Sequence, residues 1–181
     1  MPNYRRFYHG NCWFFTVVTH SRRPLFTDPF ARDCLSLAFR ECRDLFPFFI
    51  DALVLLPDHL HTVWTLPDND MDYSRRWSVI KRRFTQAYRA TGAHGTPYWQ
   101  ARFWAHCVLN EEDYRHHVDY VHINPVKHGL CESVPDWPWS SFHRYVREGV
   151  KWTPWSRQFS PEFKLSATLH PQLNSAALFL R

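Results

Sequence analysis

The segment 49–66, FIDALVLLPDHLHTVWTL, is the hairpin around which the fold is predicted to form. Residues 49–56 are almost entirely apolar, which is typical of a central buried strand. Pro57 and Asp58 favour a tight turn, and residues 60–66 return as the next strand. Because the connection is so short, the two strands are predicted to pair antiparallel.

Two histidines, His59 and His61, flank Leu60 at the start of the second strand of this hairpin. Because side chains alternate across a strand, both imidazoles are expected on one face of the sheet. Two imidazoles at this spacing can share a metal ion, since histidine is a common metal ligand. They can equally be two ordinary polar residues on an open sheet face, and the spacing alone does not choose between the two interpretations.

The periodicity of the flanking segments predicts an α+β fold. Residues 12–19 and 103–109 have the aromatic and β-branched composition of strands. Residues 28–45 and 73–91 carry apolar side chains at helical spacing. The resulting order, βαββαβ, matches a ferredoxin-like antiparallel sheet with two helices on one face. The other face is then available for a site.

A further helix is predicted after Asn110, which suits the N-cap position. We expect it to end near Ile123, because Pro125 disfavours helical geometry in the residue before it. Tyr120 lies one turn before Asn124, so their side chains can converge on one spot. Tyr120 also lies off the apolar stripe of this helix, which consists of Tyr114, Val118 and Val121.

Length and composition suit one domain of 181 residues. Residues 1–149 are predicted to form it, with a short helix over 140–148, and residues 150–181 form an irregular C-terminal tail packed on the domain or extending from it. The five cysteines include no CxxC pair, which argues against a disulfide framework or a cysteine zinc site and favours a reducing cytoplasm. No signal peptide or long apolar run is evident, so no membrane partner is expected.

Positive charge is concentrated in one part of the chain. The formal net charge is +5, and residues 73–110 hold seven Lys or Arg and no Asp or Glu. A solvated helix face usually carries both signs, so this segment favours a polyanion such as nucleic acid. The nine Trp residues either fill the core or stack on bases. The candidates for contact with phosphates or bases are Tyr4, Arg5, Arg6, Arg75, Arg76, Lys81, Arg82 and Arg83.

Chemistry connects the histidines with the tyrosine. A phenol has a pKa of about 10 and is a poor nucleophile at neutral pH. A divalent metal on His59, His61 and Asn124 would polarise a phosphate oxygen and orient the ester for attack by Tyr120. The product would be a covalent phosphotyrosine. The spacing alone does not place this helix opposite the histidines.

An ordered set of motifs makes the chain similar to a known family. The motifs are YRRFYHG, WFFTVVT, LVLLPDHLHTVWTLP, RRWSVIKRRF, RFWAHCVLNEEDYRHHVDYVHINPVKHGL and WPWSSFHRY, which together span roughly residues 4–146. The chain resembles the REP-associated tyrosine transposases, relatives of the IS200/IS605 single-strand transposases in the HUH nuclease superfamily. The resemblance identifies residues 1–149 as a single-tyrosine HUH transposase domain.

The resemblance implies a complete activity. It implies Tyr120 as the catalytic nucleophile, His59 and His61 as metal ligands on a central strand, and Asn124 as the third ligand. The implied substrate is a single-stranded DNA hairpin of the REP type, cleaved and rejoined through a 5′-phosphotyrosine with Mg²⁺ or Mn²⁺. A monomer or a homodimer fits equally, in the bacterial cytoplasm near the nucleoid. Two other hypotheses stay open: a catalytically silent hairpin-binding protein and an RNA-binding ferredoxin-like module.

Overall fold

Four antiparallel strands form a single sheet in the computed structural model, which describes residues 10–93 and 95–149. The strands are β1 (Cys12–Val18), β2 (Phe49–Leu55), β3 (His59–Thr65) and β4 (Trp104–Cys107). Their order across the sheet is β2-β3-β1-β4, so β3 and β1 are central and β4 is a short edge strand. The predicted pairing of the hairpin around Pro57 and Asp58 is confirmed.

The helices lie on both faces of this sheet. Helices α1 (Pro29–Leu45) and α2 (Tyr73–Ala90) cover one face, and α3 (Glu111–Lys127) and the short α4 (Phe142–Arg147) belong to the other. The predicted α+β fold with βαββαβ order, followed by C-terminal helices, is therefore confirmed. The predicted tail of residues 150–181 lies outside the described residues. No helix among the described residues is long and apolar enough to cross a membrane.

Strand alternation divides the apolar residues into two cores. In β1, Phe15 and Val17 face α1 and α2, whereas Phe14 faces α3. The first core holds Trp64 stacked on Trp77, with ring centroids 4.4 Å apart. Each such fully buried large side chain contributes about 1.5–3 kcal/mol through the hydrophobic effect. Packing in the core thus explains part of the Trp content. Burial of side chains on both faces of the sheet also determines which way each β1 residue points.

The outer edge of β2 is covered by the segment that leads into α4. The Leu55 backbone N–H donates to the carbonyl of Trp139 (2.9 Å), and the Ser141 N–H donates to the carbonyl of Leu53 (2.8 Å). The Ser141 hydroxyl accepts from the Leu53 N–H at 2.9 Å. These bonds satisfy backbone groups that an open edge strand would leave exposed. The helix predicted over 140–148 is thereby observed as Phe142–Arg147.

The expected end of α3 near Ile123 is wrong, because the helix continues through Pro125 to Lys127. Pro125 has no N–H to donate to the carbonyl of residue 121, but the helix continues past it for two more residues. The His128 N–H donates to the Asn124 carbonyl at 3.0 Å and keeps the last turn closed. Positions 120, 124 and 128 consequently follow one another along a single face of α3.

Candidate active site

The two histidines of β3 lie on the sheet face that α3 covers. His59 and His61 are 5% and 4% exposed, and their ring centroids are 4.9 Å apart. Leu60 between them points into the opposite core. The expected alternation is therefore present, but the face is buried under a helix rather than open. Buried polar groups require partners, and those partners decide what the histidines can do.

Each histidine is held through its Nδ1 atom. His59 Nδ1 lies 2.6 Å from a carboxylate oxygen of Asp58, and His61 Nδ1 lies 2.8 Å from the Thr16 hydroxyl on β1. Among the described residues, no hydrogen bond engages the Nε2 atom of either ring. A partner on one ring nitrogen fixes the tautomer and directs the other nitrogen toward a ligand. The sequence interpretation missed both Asp58 and Thr16, although Asp58 directly precedes the first histidine.

Burial keeps both imidazoles neutral. Burial, and to a smaller extent the neighbouring His59, lowers the pKa of His61 to about 3. Burial also lowers the pKa of His59, although Asp58 opposes that shift. Burial alone would raise the pKa of Asp58, but its hydrogen bond with His59 and the ion pair with Arg22 bring it below the ordinary value. At neutral pH an ionised carboxylate thus accepts from a neutral ring, whose Nε2 lone pair is available to a metal.

Helix α3 places Tyr120 against this pair. The Tyr120 ring centroid is 5.2 Å from that of His61 at an interplanar angle of 73°, and 5.8 Å from that of Phe14. The Lys127 ammonium lies 4.8 Å from the centre of the Tyr120 ring. This is a cation–π contact, and it places a positive charge beside the Tyr120 ring. The structure therefore brings the tyrosine next to the histidine pair, a contact that the sequence spacing alone could not predict.

Asn124 occupies the turn of α3 between two residues that touch the histidines. Tyr120, one turn before it, contacts His61, and His128, one turn after it, has its ring centroid 5.3 Å from that of His59. Asn124 is 1% exposed, and its Oδ1 atom has no hydrogen-bond partner in the described structure. A buried oxygen without a donor suits a bound cation. Imidazole nitrogens and an amide oxygen are ligand types that suit a divalent metal, so these three side chains could hold one.

A second polar cluster joins β4 to the start of α3. The Asp113 carboxylate lies 2.9 Å from His106 Nε2 and 3.0 Å from His117 Nδ1. These three groups could converge on a cation. However, the two imidazoles are stacked, with centroids 4.7 Å and planes 23° apart. A metal binds along an in-plane nitrogen lone pair, and near-parallel planes do not meet at one ion, so the carboxylate bonds explain this cluster better.

The predicted phosphate-binding residues lie on α2, across the sheet from Tyr120. Arg75 and Arg82 are exposed, and the Arg83 guanidinium pairs with Glu41 at 3.3 Å. Arg76 is 2% exposed and forms an ion pair with Asp70 at 2.6 Å. Burial and this ion pair count against the prediction that Arg76 contacts phosphate, because its guanidinium already has a carboxylate partner.

Lys81 faces a basic groove beside the same helix. Its ammonium donates to the Gln100 carbonyl at 3.0 Å, and burial lowers its pKa. The groove has a volume of about 460 Å³, and its lining includes Arg82, Arg89 and the segment 96–101. The predicted N-terminal contacts, Tyr4, Arg5 and Arg6, lie outside the described residues. The roles of the α2 cations and of these three residues stay predictions.

Comparison with known proteins finds relatives that are similar to this chain over most of its length. No protein-family model matches the chain. The chain is 46% identical over 158 residues to a REP-associated tyrosine transposase of Escherichia coli K12, with 86% of this chain and 92% of that protein covered. A Haemophilus influenzae protein with the same family name is 35% identical over 184 residues, with 93% and 100% covered.

One solved structure is similar as well. It is a REP-associated tyrosine transposase bound to a REP hairpin, with a TM-score of 0.71 and 44% identity. The match covers 94% of this chain and 98% of that chain. Sequence and fold therefore agree on the same group of relatives.

Proposed function

The chain belongs to the REP-associated tyrosine transposases, and we propose that it is a metal-dependent single-strand DNA endonuclease and strand transferase. It binds REP-type DNA hairpins and cleaves and rejoins them through a 5′-phosphotyrosine intermediate. The proposal rests on one observation above all. The Tyr120 ring centroid lies 5.2 Å from that of His61, one of two buried histidines. Their Nδ1 atoms are hydrogen-bonded, and their Nε2 atoms bond none of the residues that the structure describes.

The protein's own residues supply the nucleophile and its activation. The Tyr120 oxygen attacks the phosphorus, forming an O–P bond as the bond from phosphorus to the 3′ oxygen breaks. The phenol proton passes to water, and the departing 3′ oxygen takes a proton and becomes a free hydroxyl. Lys127, 4.8 Å from the ring, stabilises the developing phenolate. Rejoining is the reverse attack by a 3′-hydroxyl, which regenerates Tyr120.

His59 Nε2, His61 Nε2 and Asn124 Oδ1 would hold a divalent ion, Mg²⁺ or Mn²⁺. A metal bound there would supply Lewis-acid polarisation of a phosphate oxygen and would help to orient the ester for in-line attack. Two imidazole ligands favour Mn²⁺ over Mg²⁺ by affinity. The unpartnered Asn124 oxygen and the anchored Nδ1 atoms support this assignment from the protein side.

The DNA partner follows from charge and from the relatives. A relative of known structure is bound to a REP hairpin, and the exposed cations of α2, Arg75 and Arg82, suit contact with a phosphate backbone. Since α2 and Tyr120 lie on opposite faces, a DNA hairpin that touches both must pass around a sheet edge. We propose that the protein acts on chromosomal DNA in the bacterial cytoplasm. It acts there as a monomer or as a homodimer.

Formation of a covalent adduct tests the proposal. Wild-type protein with Mn²⁺ and a single-stranded REP hairpin oligonucleotide should give a DNA adduct that resists SDS. Tyr120→Phe should abolish the adduct and keep hairpin binding nearly intact, because it removes only the hydroxyl. Tyr73→Phe is the matched control, since it removes a phenol hydroxyl from the opposite side of the sheet. Hairpin binding without any wild-type adduct would instead support the catalytically silent alternative.

A further inference from the structure

The segment 137–145, WPWSSFHRY, lies along the outer edge of β2 and takes no part in the chemistry above. Its backbone hydrogen-bonds with that strand. Its side chains do so as well. The Trp137 Nε1–H donates to the Leu55 carbonyl at 2.9 Å, and the Tyr145 hydroxyl donates to the Asp51 carbonyl at 3.0 Å. The segment is therefore fixed to a core strand and can act as a rigid support for a neighbouring element.

One residue of the helix that carries Tyr120 reaches this segment. His122 on α3 is 0% exposed, and its Nε2 atom lies 2.9 Å from the Ser141 hydroxyl. The same hydroxyl accepts from the Leu53 N–H at 2.9 Å. The Tyr145 ring packs edge-on against the imidazole, with centroids 4.9 Å apart. A buried polar bridge through Ser141 thus ties α3 to β2.

Apolar packing alone does not define how α3 is rotated about its axis. Its buried residues include two polar side chains, His122 and Asn124, among the apolar ones. The hydrophobic effect is non-directional, whereas a hydrogen bond requires a defined distance and angle. Successive helical residues are about 100° apart, so the direction of His122 sets those of Tyr120 and Asn124. Ser141 is the one hydrogen-bond partner of this ring among the described residues, because Nδ1 bonds none of them.

We propose that His122 and Ser141 are positioning residues for the strand transfer. Their bond fixes the rotation of α3 and thereby holds Tyr120 and Asn124 toward the histidine pair. Both side chains are 0% exposed, so they act through the helix rather than by touching DNA. An apolar pair of the same shape can be nearly as stable as a buried hydrogen bond, but a satisfied polar network specifies one arrangement. This inference rests on the proposed function and adds the residues that set the geometry of its nucleophile.

Two adjacent buried serines give a matched test. Ser141→Ala removes the hydroxyl that bonds His122, whereas Ser140→Ala removes a hydroxyl, on a residue 2% exposed, that accepts from the Phe142 N–H. At saturating REP hairpin and Mn²⁺, Ser141→Ala should form the covalent adduct about 10- to 100-fold more slowly, because misplacement by about 1 Å can slow a reaction about 100-fold. Ser140→Ala should keep the wild-type rate. Hairpin affinity, measured in a Tyr120→Phe background, should be unchanged in both, and a loss confined to hairpin affinity would overturn the inference.

Variants of His122 separate position from stability. His122→Gln keeps a polar group near the place of Nε2 and should retain most of the rate. His122→Leu keeps a similar volume without the bond and should be slowed as much as Ser141→Ala. The double variant His122→Leu/Ser141→Ala should be no slower than the slower single variant, since both changes remove one bond. Rates that follow the midpoint of thermal unfolding across these variants, rather than the presence of the bond, would show a merely structural role and overturn the inference.

Crystal structures of the two serine variants test the placement without any activity. The ring centroids of Tyr120 and His61 are 5.2 Å apart. Their separation should change in Ser141→Ala and stay the same in Ser140→Ala. An unchanged separation in Ser141→Ala would overturn the inference, even if the adduct forms slowly. Failure of the proposed function appears in the wild type instead, which would form no adduct, and the comparison of structures would still decide the positioning role.

Discussion

Asp58 gives the sharpest test of how the histidine pair works, because it touches the site only through His59. Its carboxylate oxygen lies 2.6 Å from His59 Nδ1, and its backbone carbonyl separately accepts from Thr19. Substitution of the side chain therefore leaves the turn's backbone bonds in place. Asp58→Asn keeps a neutral oxygen that can accept from Nδ1, whereas Asp58→Ala removes the acceptor altogether.

The expected loss is in metal affinity. Partners of ligating histidines typically change metal affinity by about 10- to 100-fold, which is about 1.4–2.8 kcal/mol. A hydrogen bond to a charged group contributes about 1.5–3 kcal/mol, so the two scales agree. We expect about tenfold weaker Mn²⁺ binding for Asp58→Asn, since only the charge is lost, and a value nearer 100-fold for Asp58→Ala.

Isothermal titration with Mn²⁺ measures this directly. Asp33→Asn is the charge-matched control, because Asp33 is exposed on α1 and should leave the affinity unchanged. Arg22→Ala breaks only the exposed side of the Asp58 ion pair and should change the affinity by less than about fivefold, since exposed ion pairs contribute at most about 1 kcal/mol. Affinities of both Asp58 variants within twofold of the wild type would refute the proposed orientation of His59.

Two further predictions concern the same face of the sheet. Lys127→Met should slow adduct formation by about tenfold, because it removes the positive charge beside the Tyr120 ring that stabilises negative charge developing on the nucleophile in the transition state. Lys127→Arg should restore most of the rate, and equal rates for both variants in a timed adduct assay would contradict this. Burial lowers the pKa of His61 and of His122 to about 3, so the unfolded chain binds protons first as the pH falls below about 6.5. Each group should therefore lower the free energy of unfolding by about 2 kcal/mol between pH 7.5 and pH 5, as measured by urea unfolding. His122→Gln should remove the contribution of His122, about half of the combined loss.

The sequence predicted the strands and the first two helices well, because their apolar patterns are strong. Burial of Trp64 and Leu60 on one face leaves His59 and His61 on the other, and this follows from alternation alone. The end of α3 was mispredicted because the rule for residues before proline is statistical. Here, bonds beyond Pro125 outweigh the loss of one donor.

The charge run on α2 shows where sequence patterns stop being informative. The spacing of Arg75 and Arg82 correctly places them on one exposed face of a helix. It carries no information on which face of the sheet that helix covers, and it cannot separate an exposed cation from Arg76, which is buried against Asp70. Such distinctions depend on tertiary packing, which local spacing does not encode.

The register of β1 connects parts of the site that lie in separate sequence motifs. Thr16 hydrogen-bonds His61 on β3 and is opposed by Trp104 on β4, so the orientation of one site histidine depends on this strand position. A slip of one residue would turn Thr16 toward α1 and α2 and bring Phe15 to the site. Burial of Phe15 at 0% exposure in the first core opposes that slip. The core on one face of the sheet therefore fixes the geometry of the candidate site on the other, which is why distant parts of the sequence must be packed together before the site exists.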